Sequence, residues 1–262
     1  MEELKAFAKL MRPRHTAQIV GIVVIVSIAS HGVSKQSLYA IISALFLSIA
    51  IYFIDDAYDY KSDQIVHSQR PIPKGLITIR QAYLAGAILL SLGILFASML
   101  PFYQFVIFLV LSFIANAIIF FNFKSILRAL LTASFIGALF PFAAFPELKI
   151  VLYGLIVALP HVGGSIAKDF IHSSGDRIQG LKPPPDWSKY LASAAFFLCS
   201  ALVWLPKILN LVNWFYVPPI IATHISCLML GVRVLKGHYQ KVYFYGAIGM
   251  LSSLAAFLLG GI

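Results

Sequence analysis

Charge is scarce in this 262-residue chain, and negative charge scarcest: charged residues make up 11 % of it, with 10 acids against 20 Lys and Arg. Only 2 cysteines occur, Cys199 and Cys227, both inside apolar stretches where a free thiol behaves as a small apolar residue. No disulfide is inferred between them. The chain also lacks a soluble domain, a low-complexity tract and any linker beyond two polar loops, near 57–79 and 168–189. The first apolar run has no convincing small-residue cleavage site around Ser27 to Gly32, so it reads as a retained helix and not as a signal peptide.

What remains is hydrocarbon. The hydrophobic fraction is 60 % and the mean hydropathy is +0.88. Repeated apolar runs of roughly 18 residues or more are what spanning helices require, because lipid offers no partner for unpaired backbone groups. The expected fold is all-α: a polytopic membrane bundle of nine transmembrane helices, near 16–31, 38–56, 80–100, 103–121, 127–145, 148–167, 190–206, 209–232 and 241–260, with Pro218-Pro219 kinking the eighth. Residues 1–262 read as a single transmembrane domain. Lys and Arg collect on alternate loops; with a cytoplasmic N-terminus, only Lys35, Lys149 and Lys207 of the 20 fall outside. That orientation makes the two polar loops cytoplasmic and the C-terminus exterior. The net charge of +10 then needs no nucleic acid, because anionic headgroups and an anionic substrate are its counterparts.

Four of the few acids crowd into one stretch, Asp55, Asp56, Asp59 and Asp63. Asp55, Asp59 and Asp63 stand at i, i+4 and i+8, on one side of a helix leaving the membrane, while Asp56 points elsewhere. Like charges so stacked repel unless a cation screens them. Asp169, His172 and Asp176 repeat the pattern at i, i+3 and i+7 in the second loop. Mg²⁺ prefers one or two carboxylates plus phosphate oxygens, so two carboxylate segments on one membrane side point to a phosphorylated substrate. Arg70 and Lys74, in the proline-stiffened run Arg-Pro-Ile-Pro-Lys-Gly, Lys168 beside Asp169, and Lys124 and Arg128 at the start of the fifth span supply cations for phosphate. Acids for metal, bases for phosphate and apolar walls describe a lipid diphosphate site, with the two loops capping a central chamber.

At these residues the chain resembles the UbiA superfamily of intramembrane prenyltransferases. Its first motif, Asn-Asp-x-x-Asp-x-x-x-Asp followed by Arg-Pro-x-Pro-Ser-Gly, is matched by Asp56, Asp59, Asp63 and Arg70, with Asp55 in place of Asn and Lys74 in place of Ser. The second motif of archaeal-type members, Glu-x-x-Lys-Asp-x-x-Asp-x-x-Gly-Asp-Arg, keeps Lys168, Asp169, Gly175, Asp176 and Arg177, with Ser165 and His172 in place of acids. Arg12-Pro13 before the first span and the nine-helix topology extend the resemblance over nearly the whole chain.

The resemblance implies Mg²⁺-dependent transfer of an isoprenyl chain from its diphosphate to an acceptor. Asp55, Asp59, Asp63, Asp169 and Asp176 would hold the metal, with Asp55, Asp59, Asp169, Arg70 and Lys74 closest to the chemistry. Arg70, Lys74, Lys124, Arg128, Lys168 and His172 would meet the diphosphate, and Arg12, Asp56, Ser165 and His161 are further candidates for substrate contact. Losing acids at Ser165 and His172 weakens the second metal site, since neutral imidazole is a poorer Mg²⁺ partner than carboxylate. The motifs look most like enzymes that alkylate geranylgeranylglyceryl phosphate in ether-lipid synthesis; an aromatic acceptor such as 4-hydroxybenzoate or a naphthoate is the rival. An ion-coupled transporter is the reading of another class, but its carboxylates usually lie near the midplane on broken helices. His161 also reads as a hydrogen-bonded helix-packing residue, Arg12 as a headgroup anchor, and Arg80, Lys182, Lys189 and the group from Arg233 to Lys241 as solvated, orientation-setting charges.

Overall fold

In the computed structural model the described residues are 2–121, 123, 125–178 and 184–261, with the side chains of 2–4, 66 and 172–178 left aside. Lys124 and Lys182, and the side chains of His172, Asp176 and Arg177, thus lie outside the described residues.

All regular structure among the described residues is helical. The elements are α1 (Glu2–Leu10), α2 (Pro13–His31), α3 (Lys35–Tyr58), α4 (Tyr60–Val66), α5 (Ile79–Ala97) and α6 (Phe102–Phe120), then α7 (Ser125–Ala143), α8 (Leu148–Ile178), α9 (Ser188–Leu202), α10 (Leu205–Ile208), α11 (Val217–Leu235) and α12 (Val242–Gly260). Among the described residues nine helices are long and apolar enough to cross a membrane, at the nine expected places. Two differ from expectation in an instructive way. α8 continues past its apolar part to Ile178, and the eighth span starts at Trp214, where Pro218 falls in the first turn of α11. A proline there does not kink the helix, because first-turn N–H groups have no intrahelical acceptor to lose.

The chain forms two compact units, residues 1–122 and 123–262. In the first, α3 is the central helix, packed on α2 and α5. Ser34 and Ser37 cap its start reciprocally, and Thr78 and Gln81 do the same for α5, so donors left over at both helix starts are satisfied. α1, a helix the hydrophobic runs did not announce, lays Ala6, Phe7 and Leu10 against Ile49, Phe53 and Ala57 of α3, with Phe7 stacked on Phe53 at 5.8 Å.

In the second unit α8 packs on α7, α9 and α12, and α11 on α9 and α12. Small residues let α7 and α8 approach closely: a Cβ added at Gly154 would stand 2.6 Å from the Gly137 carbonyl oxygen. Tyr153, Tyr216 and Phe257 stack in its core, the closest pair being Tyr153 and Phe257 at 4.0 Å. Cys199 and Cys227 are buried free thiols with sulfurs 3.6 Å apart, joining α9 to α11 as packing residues.

Candidate active site

The helical path of α3 pauses at Asp59 and resumes as α4. The N–H of Asp59 still donates to the Asp55 carbonyl at 2.8 Å and that of Asp63 to the Asp59 carbonyl at 2.9 Å. The four aspartates therefore stay in helical register just past the end of the span. Arg70 is placed by the loop that follows. Pro71, Ile72 and Ile77 are buried, the latter two against α1 and α3, while Lys74 N–H donates to the Arg70 carbonyl at 3.2 Å. Gly75 closes this turn at φ +73°, a conformation a side chain would resist.

The guanidinium of Arg70 bridges two carboxylates through one nitrogen: Nη1 lies 3.2 Å from Asp56 Oδ1 and 2.6 Å from Asp63 Oδ2. Arg12 reaches the same group from the α1–α2 corner, with Nη2 3.0 Å from Asp55 Oδ2 and also bonded to Asp56 Oδ1. Its backbone sits in the left-handed region at φ 44° immediately before Pro13, whose ring disfavours a helical conformation at the preceding residue. Its guanidinium also covers the Tyr52 ring at 5.0 Å. Arg12 is thus a partner of Asp55 and Asp56.

One geometric expectation is corrected. Asp56 does not point away from the other acids. It shares Arg70 with Asp63, seven residues on and two helical turns down the same side, and both side chains are nearly solvent-free at 5 % and 4 % exposure.

Asp59 stands apart, since no ion pair among the described residues holds it. Burial, then the negative charges of Asp55 and Asp63, push its carboxyl from 3.8 up to about 6, against the opposing pull of Arg70 and Arg12. A folded-state value above the ordinary one means the folded protein binds more protons than the unfolded chain between about pH 4 and pH 6. Asp59 therefore weighs on stability increasingly as pH rises through that window, and not below it. Without added metal, the heat stability of Asp59→Asn relative to wild type is expected to climb from pH 4 to pH 7; an offset independent of pH would contradict this.

In the second unit, Asp169 of α8 is buried and held by two residues at the start of α7. Arg128 Nη2 donates to Oδ1 at 2.7 Å and the Ser125 hydroxyl donates to Oδ2. Ser125 carries no motif signal, and only the fold brings it to Asp169. Lys168 and Lys74 are exposed, and Ser165 is half-buried. His161 Nδ1–H donates to the Val157 carbonyl one turn back at 2.8 Å, the helix-packing role among its two readings.

The donor set suits a hard divalent cation. Four carboxylates converge on one segment, and the crowding that raises Asp59 is what a cation relieves. Among the described residues no three acid, histidine or cysteine side chains form a ready chelate, and Asp55, Asp56 and Asp63 are turned to arginines. Mg²⁺ does not need three, since it keeps waters and takes phosphate oxygens.

Residues 19–243 match the UbiA prenyltransferase family. The chain belongs to that family. A digeranylgeranylglyceryl phosphate synthase of Methanobrevibacter smithii is 26 % identical over 278 residues, covering 98 % of this chain and 98 % of the relative. The solved structure of a digeranylgeranylglyceryl phosphate synthase aligns with a TM-score of 0.83 at 25 % identity, over 100 % of this chain and 99 % of that one. A UbiA homologue from Archaeoglobus fulgidus, solved bound to GPP and Mg²⁺, shares the fold at a TM-score of 0.63 and 14 % identity, over 98 % and 100 % of the two chains. The nine apolar helices and the family together make this an integral, multi-pass membrane prenyltransferase.

Proposed function

We propose that this UbiA member transfers an isoprenyl group from an isoprenyl diphosphate to the hydroxyl of a glycerophosphate lipid, with geranylgeranylglyceryl phosphate the best candidate acceptor. The observation that carries the reading is the Asp59 carboxylate, crowded by Asp55 and Asp63 and in no ion pair among the described residues, beside an Arg12–Asp56–Arg70–Asp63 network at the end of a membrane span. The synthases among its relatives support the choice of acceptor. Residues 1–262 act as one prenyltransferase domain, with the N-terminus and both aspartate-rich segments cytoplasmic and the C-terminus exterior; the distribution of Lys and Arg supports that orientation.

In this reaction the allylic carbon–oxygen bond of the diphosphate breaks, the acceptor oxygen forms the new ether bond, and the hydroxyl proton is lost. Asp59 with Asp55 and Asp63 in the first unit, and Asp169 with Asp176 in the second, are the residues that would hold Mg²⁺, which would supply Lewis-acid stabilisation of charge on the leaving diphosphate. Arg70 holds Asp56 and Asp63 in place through Nη1, which leaves its Nε and Nη2 edge for phosphate oxygens. Lys74, Lys124, Arg128 and Lys168 complete the cationic set, with His172 as a further hydrogen-bond donor to the diphosphate, and Arg128 with Ser125 fixes the rotamer of Asp169. Apolar helix walls keep water from the allylic cation.

The test offers purified protein radiolabelled geranylgeranyl diphosphate, Mg²⁺ and either geranylgeranylglyceryl phosphate or 4-hydroxybenzoate. Label is expected in an ether lipid from the first acceptor and in nothing from the second; the reverse result would overturn the acceptor assignment.

A further inference from the structure

A cavity of about 740 Å³ opens in the second unit between Ile171 of α8, Arg233 of α11 and the segment 237–243. Its volume falls in the range of small-molecule sites, roughly 300–1,000 Å³. The segment is firmly shaped. Gly237 ends α11 at φ +74° and His238 N–H donates back to the Arg233 carbonyl at 2.8 Å, a helix stop that satisfies the last carbonyls. Tyr239 lies flat on Phe170 of α8, with ring centroids 4.8 Å apart and planes 4° from parallel. Lys241 takes a left-handed conformation at φ 65° and starts α12 without a side-chain cap, so the positive end of that helix lies beside a lysine.

Among the described lining residues the fixed charge is one-sided. Arg233, Lys241 and His238 line the cavity, and no acid is among its described lining residues. The guanidinium of Arg233 sits 5.6 Å over the Tyr245 ring, while its Nε is buried with no hydrogen-bond partner among the described residues. A buried guanidinium nitrogen left unmatched is uncommon and costly, and calls for a reason. Asp169, two residues before Ile171, is already held by Arg128 and Ser125. Depth fits as well, for the cavity lies where the α11 span ends and the α12 span begins, at the level of lipid headgroups. Ile171 and Tyr243 give it apolar surface beside the cations.

We propose that this cavity binds the phosphate-bearing headgroup of a glycerol lipid, with Arg233 and Lys241 on the phosphate and His238 at its edge. Its source is either the acceptor of the transfer reaction or a phospholipid of the bilayer, and the choice of acceptor rests on the function proposed above. These residues then form a site and are not merely orientation-setting charges.

The experiment measures binding of 1-O-octadecyl-glycerol 3-phosphate to the detergent-purified full chain by native mass spectrometry, with octadecylglycerol as the phosphate-free control. The Arg233→Gln/Lys241→Gln variant is expected to lose about ten- to hundredfold in affinity for the phosphate lipid and nothing for the control. Lys241→Arg, which keeps the charge, is expected to retain binding, so a variant that merely unfolds is recognised. In transfer assays, a raised acceptor KM with an unchanged KM for the isoprenyl diphosphate identifies the acceptor as the source; an unchanged acceptor KM together with lost binding identifies a bilayer lipid. If the wild type transfers nothing to glycerophosphate acceptors yet shows the variant-sensitive binding, the inference stands while the proposed function falls. Equal binding of the phosphate lipid by wild type and the double variant would overturn it.

Discussion

Replacing Asp59 with asparagine is expected to lower Mg²⁺-dependent transfer by a factor on the order of 10³ while leaving the protein folded. Asparagine has nearly the shape of aspartate but cannot supply the charge a hard cation needs. Within the aspartate cluster, Asp59 is the carboxylate that no described ion pair claims, and its proton affinity is raised, to about 6. A group disfavoured in the resting fold and needed in the reaction is the usual signature of a functional position. At neutral pH and without metal, removing its charge relieves repulsion from Asp55 and Asp63, so the variant is expected to be at least as heat-stable as wild type. Thermal unfolding and a transfer assay on the same preparation separate the two effects. Wild-type activity would remove Asp59 from the site, and a collapse of stability would make its role structural.

Arg70→Ala is expected to act in the opposite way and to destabilise the protein by about 3–5 kcal/mol, the usual consequence of stranding a buried charge. The side chains of Asp56 and Asp63 are 5 % and 4 % exposed and share Arg70 Nη1. Asp56 retains Arg12, whereas Asp63 has no other ion-pair partner among the described residues. A second change, Asp63→Asn, is therefore expected to recover part of the loss, and Arg70→Lys to recover less than the full interaction because a more strongly hydrated ammonium costs more to desolvate between two buried carboxylates. Thermal midpoints of the four proteins check this. An Arg70→Ala variant as stable as wild type would show that the network is not held in the way its geometry indicates.

The nine spans were legible because a hydrocarbon-length apolar run is a local property, readable without knowing any neighbour. α1 was not. Its apolar face, Ala6, Phe7 and Leu10, is interrupted by Lys5 and Lys9 and becomes meaningful only against Phe53. The aspartate cluster stood out by composition, but periodicity taken at i, i+4 and i+8 missed that Asp56 and Asp63, at i and i+7, also share a side. Long-range pairs were beyond reach for the same reason: Arg12 meets Asp55 and Asp56, and Ser125 and Arg128 meet Asp169, across more than 40 residues of chain. The segment from Arg233 to Lys241 reads as a row of surface cations until the stacking of Tyr239 on Phe170 folds it around a cavity.

The most direct test of the account is Mg²⁺-dependent ether-lipid formation by the purified chain in lipid nanodiscs, run beside Asp59→Ala and Asp169→Ala. The account predicts product with wild type, none after chelation of Mg²⁺, and none from either folded variant. Product formed without metal, or at wild-type rate by both variants, would contradict it.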